Sequence, residues 1–118
     1  YALEVQLARM ISEGMPARWS RHVEMADATS AWVDKMRTSG VGLEMVAPAG
    51  FRSPAVSTIR TPEGVTGPDV TRGVVERGWL VGGGYGKLKP STFRIGHMGE
   101  KTMGELYAVL DVLTEVLL

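Results

Sequence analysis

The chain has 118 residues, the size of one ordinary domain, which excludes two independent hydrophobic cores. Thirteen basic residues balance thirteen acidic ones, so no global field attracts a nucleic acid or an anionic membrane, and neither is expected as a partner. The absence of cysteine removes disulfides, thiolate metal sites and cysteine nucleophiles together, no apolar run approaches the roughly 20 residues of a membrane span, and a cytoplasmic protein is expected.

The first residues, from Tyr1 to Ile11, are already helically patterned, with Leu3, Leu7, Met10 and Ile11 on one stripe. Neither a methionine nor a capping residue precedes them, so the chain is expected to be a piece of a longer one. Gly14 suits a left-handed helix end and Pro16 the first turn of a second helix. From there to Thr38, Trp19, Val23, Ala26, Val33 and Met36 repeat at three and four residues, which predicts a long helix with a broad buried face. Arg18, Arg21, Lys35 and Arg37 alternate with Glu24 and Asp34 as an ordinary solvated surface does. Residues 1–38 are expected to be a helical linker or interdomain segment, and 39–118 a single small domain.

Short strands are predicted at 43–46 and 55–60, where apolar and β-branched residues lie between glycine and proline signals. The two-proline stretch between them should be a surface loop. Pro68 and Asp69 open a short third helix that Gly78 closes. A third strand is predicted at 79–81 and a fourth at 92–95, joined by the glycine-rich loop. Thr102 and Glu105 fit a capping box, and Met103, Leu106, Tyr107, Leu110, Leu113 and Leu117 mark the core face of a last helix. The order ββαββα after the long helices predicts an α+β fold: a small, mostly antiparallel sheet with helices on one face and the other face left uncovered.

The loop from Gly82 to Gly86 has neither the Walker nor the dinucleotide spacing and leads into a strand, not a helix. It is either a turn between strands or a bare backbone that approaches a ligand or partner subunit. His22 and His97 lack carboxylates at ligand spacing, so no metal site is expected, and no residue qualifies as a catalytic nucleophile or acid–base pair. Arg94 stands apart. If Phe93 and Ile95 face the core, Arg94 projects from the other side of its strand, where its planar fork could hold a carboxylate or form a structural salt bridge. Gly83, Gly84, Tyr85 and His97 are the expected further lining of that region.

Several segments together resemble one family. Tyr1-Ala-Leu, Gly14-Met-Pro-Ala-Arg-Trp-Ser-Arg-His22, Arg52-Ser-Pro-Ala-Val56, Arg77-Gly-Trp-Leu-Val-Gly-Gly-Gly-Tyr-Gly86 and Phe93-Arg-Ile-Gly-His-Met-Gly99 resemble, in order, the C-terminal part of class V aminotransferases of the alanine– or serine–glyoxylate (serine–pyruvate) group. The resemblance covers essentially the whole chain, and its last segment is the most specific. It implies a fold-type I, pyridoxal-phosphate-dependent homodimer whose large domain lies upstream, and it places the arginine that binds the substrate α-carboxylate on Arg94. The Schiff-base lysine and the aspartate that pairs with the pyridine nitrogen belong to that large domain, and Lys35, Lys87, Lys89 and Lys101 do not take the lysine's place. The chain alone is therefore expected to be inactive and to bind no cofactor. The competing reading is a non-catalytic module that binds amino acids or dimerises through its sheet.

Overall fold

The structure is a computed structural model that describes residues 1–118. Two helices lead: α1 (Ala2–Glu13) and α2 (Met15–Thr38). Gly14 alone separates them, at φ 85° and ψ 137°. This is an extended conformation of positive φ, not the left-handed helix end, and glycine adopts it without the Cβ penalty. The strands β1 (Glu44–Met45), β2 (Val56–Arg60), β3 (Gly82–Gly83) and β4 (Thr92–Gly96) alternate with α3 (Gly67–Glu76), a 3₁₀ segment (Gly86–Ser91) and α4 (Met103–Leu117). No helix is long and apolar enough to cross a membrane.

The sheet runs β1-β2-β4-β3 and every neighbouring pair is antiparallel. Register decides which side chains share a face: Ile59 lies opposite Phe93 and Ser57 opposite Ile95, while Thr58 lies opposite Arg94. The first face is the core face. Ile59, Phe93 and Ile95 meet Met25, Val33 and Met36 of α2, Val70 and Val74 of α3, and Leu106, Leu110 and Leu113 of α4. The fold is α+β, a small antiparallel sheet with its helices on that side.

Several local expectations change. The third strand is not 79–81 but Gly82–Gly83, because Trp79 and Val81 turn towards the helices and help wall a groove of about 420 Å³ with Met25, Ile95, Leu106 and Val109. The full capping box sits at α3, where Thr66 and Asp69 exchange side-chain and backbone hydrogen bonds. At α4, Thr102 Oγ1 accepts from Glu105 N, but the Glu105 carboxylate reaches back to the Thr102 hydroxyl instead of its backbone N–H. The apolar stripe of α1 is mostly uncovered: Leu3, Leu7 and Ile11 are exposed and Met10 is half-buried, and Trp19 and Val23 at the start of α2 are exposed too. Only from Met25 onward does α2 have a broad buried face within this chain.

Candidate carboxylate site

Arg94 sits at the middle of β4, between two residues that face the core, and period-two alternation turns it to the opposite side of the sheet. Its surroundings separate it from most of the other arginines. Every arginine except Arg52 and Arg94 has a carboxylate within ion-pairing distance. Arg52 is tied to Ala47 O at 2.9 Å and to Ser30 Oγ at 2.7 Å. Arg94 makes one hydrogen bond, from Nε to Gly83 O at 2.7 Å, and none through its two Nη groups. A half-buried guanidinium with an unopposed fork is suited to a bidentate carboxylate, which brings both the charge and the matching pair of acceptors. The structural salt bridge, the other reading of this residue, is absent.

The other expected lining residues divide. Gly83 meets Arg94 through its carbonyl, whereas Gly84, just past β3, packs on Thr92, Leu88 and Lys89 and not on Arg94. Tyr85 follows them and is exposed, with no side-chain hydrogen bond to Arg94. His97 goes elsewhere. It continues the parity of Phe93 and Ile95, is fully buried, and has Nε2 2.8 Å from Ser57 Oγ. The structure therefore does not bring His97 to the face that Arg94 occupies, a separation that the alternation of residues 93, 95 and 97 already implies.

The arginine that periodicity alone missed is Arg21. Its Nη groups donate to Gly99 O and Lys101 O, both at 2.6 Å, and its Nε donates to Glu13 at 2.8 Å, so it joins the end of α1 to the turn after β4. Arg9 ties the same turn to α1 through Glu100 at 3.0 Å. The hydrogen bonds from Arg21, with further help from Arg18, hold the Glu13 carboxyl below the usual carboxylate range. Arg18, expected on a solvated face, is buried and paired with Glu13 at 3.0 Å.

His97 gives the chain an acid-sensitive element. Burial above all, then the charges of Lys101 and His22, push its imidazole from 6.5 down to about 4. The unfolded chain thus takes up this proton first as the pH falls. The stability contributed by neutral His97 is complete above about 6.5 and is lost as the pH drops towards about 4. Urea midpoints are expected to fall across that window by the equivalent of at most about 3 kcal/mol. His97→Gln, which keeps a polar partner for Ser57 without a titrating group, should flatten most of that limb.

No protein-family model matches the chain. An uncharacterized aminotransferase of Methanocaldococcus jannaschii is 36% identical over 112 residues, which cover 93% of this chain and 28% of that protein. The alanine–glyoxylate aminotransferase 1 of Saccharomyces cerevisiae is 30% identical over 101 residues, 83% of this chain and 24% of its own length. A relative of similar identity in Synechococcus bears a different name, soluble hydrogenase small subunit. Among solved structures, pyridoxamine–pyruvate aminotransferase from Mesorhizobium loti superimposes with a TM-score of 0.84 at 30% identity, covering 97% of this chain and 29% of that one. The chain thus spans about a quarter of the length of the relatives it matches. The motif around Arg94, the sheet that displays it and these likenesses agree: the relatives and structural neighbours of the chain are class V aminotransferases, and the share of them that it matches is consistent with a C-terminal piece.

Proposed function

We propose that this chain serves an enzyme that transfers an amino group from alanine or serine to glyoxylate or pyruvate, and that Arg94 holds the α-carboxylate of the amino-acid substrate. The observation that carries this reading is the unopposed guanidinium fork of Arg94 on the sheet face away from the helices. A carboxylate gripped through two parallel N–H donors has one in-plane orientation, and once the amino group is held as well, this sets the direction of the Cα–H bond before any proton moves. Arg94 positions the substrate and transfers no proton itself.

Such chemistry draws on pyridoxal phosphate as an electron sink. The residues of this chain do not form a site for it. A Schiff-base lysine needs a desolvated amine, whereas Lys35, Lys87, Lys89 and Lys101 are all exposed, and Lys101 turns back to Gly96 O at 3.3 Å. The cofactor belongs, in this reading, to a large domain upstream, in a cytoplasmic homodimer. Residues 1–38 connect to it and 39–118 form the small domain, with α2 from Met25 onward shared between them through the core residues Met25, Val33 and Met36. The exposed apolar residues Leu3, Leu7, Ile11 and Trp19 support that connecting role, since a stripe of this kind is a surface waiting for a partner.

The test is direct. The enzyme that carries this chain, supplied with pyridoxal phosphate, alanine and glyoxylate, should form pyruvate and glycine in equal amounts, and the 118-residue chain alone should form neither. Failure to transfer an amino group from any α-amino acid would overturn the proposal, and turnover by the chain alone would overturn the assignment of the chemistry to a separate domain.

A further inference from the structure

Taking Arg94 as the carboxylate holder, as just proposed, we propose in addition that β3 is a positioning strand for it: the Gly83 carbonyl fixes the guanidinium through Nε and leaves both Nη groups free for the substrate. Three observations converge. Gly82 is paired with Arg94 across the ladder, and a Cβ there would lie 3.5 Å from the Arg94 Cβ and 3.7 Å from its Nε, so the glycine backbone forms one wall of the arginine's channel. Gly83 O accepts the Nε–H at 2.7 Å. An acceptor at Nε restrains rotation of the long side chain and occupies the Nε edge of the guanidinium, so the Nη1/Nη2 pair is the edge left for a carboxylate.

The third observation explains why the strand stays in place. β3 is only two residues long and lies at the sheet edge, where its own ladder holds it weakly. What anchors it is Gly84. A Cβ on Gly84 would overlap the Thr92 hydroxyl outright, come within 2.8 Å of Leu88 O and stand 3.0 Å from Lys89 Cα. Gly84 has no positive φ, so the requirement for glycine is one of space and not of backbone conformation. The Thr92 hydroxyl is itself committed, donating to Leu88 O at 2.6 Å, which locks the 3₁₀ segment against the root of β4. Gly84 therefore seats β3 on Thr92, Gly83 holds Arg94, and the three-glycine run becomes part of the substrate site through its backbone.

The experiment uses Gly84→Ala, with Gly84→Ala/Thr92→Ala as a second variant that removes the worst overlap. In the chain itself, NMR should show the wild-type Arg94 Nε–H as a slowly exchanging signal coupled across the hydrogen bond to the Gly83 carbonyl carbon. That signal is expected to be lost in Gly84→Ala and partly restored in the double variant. In the enzyme that carries the chain, Gly84→Ala should raise the KM for the amino-acid donor about tenfold, the worth of one hydrogen bond to a charged group, with kcat nearly unchanged. A protected Nε–H that survives Gly84→Ala, or a KM unmoved while the signal is lost, overturns the positioning role. If instead Arg94→Ala itself leaves KM unchanged, it is the carboxylate assignment that fails, and the NMR result still decides whether β3 orients the side chain.

Discussion

In the enzyme that carries this chain, Arg94→Ala is expected to raise the KM for the amino-acid donor by about 10²–10³-fold, the loss of two charge-assisted hydrogen bonds to one carboxylate. The structure supplies the reason for so large a value. No neighbouring carboxylate competes for the fork, and Gly83 O already restrains it. Arg94→Lys should recover only part of the loss, since an ammonium is a point charge that cannot present two parallel donors. Steady-state kinetics over a range of donor concentrations measures the effect, and thermal unfolding should move little, because truncating a side chain on the open face leaves the core intact.

One residue away the expected result is reversed. Phe93→Ala should lower the stability by about 3–5 kcal/mol, a large share of what a domain of this size possesses. Phe93 is fully buried, faces Ile59 across the ladder and belongs to the cluster that joins the sheet to α2, α3 and α4. Removing the ring loses its transfer energy and leaves a void that helices and strands on all sides cannot fill. Urea unfolding at neutral pH would read this as a lowered midpoint. The contrast between neighbours is the signature of a strand that packs with one set of alternate residues and works with the other.

That division was legible before any coordinates, because Phe93, Arg94 and Ile95 show it in their order and a period of two needs no long-range information. The same alternation would have sent His97 to the core face, yet its polarity and its proximity in sequence suggested the site instead. β3 was misplaced for a different reason. Trp79 and Val81 have the side chains that strands favour, but they pack against the core and the ladder falls on Gly82 and Gly83 instead, so tertiary packing overrides propensity. The role of Arg21 had no local signal, since its acceptors, Gly99 O and Lys101 O, are close only after α2 has packed beside the end of β4. The stripe on α1 is plain in the sequence, but periodicity states that a face is apolar and not what covers it.

The central claim, that Arg94 recognises the carboxylate and not some other part of the substrate, is tested most directly by pairing the substitution with a truncated donor. kcat/KM would be measured for alanine and for ethylamine, which lacks the carboxylate, in the wild-type enzyme and in Arg94→Ala. The account predicts that the wild-type preference for alanine collapses by about 10²-fold or more in the variant, while the rate with ethylamine stays the same. A preference for alanine that survives the loss of Arg94 would contradict it.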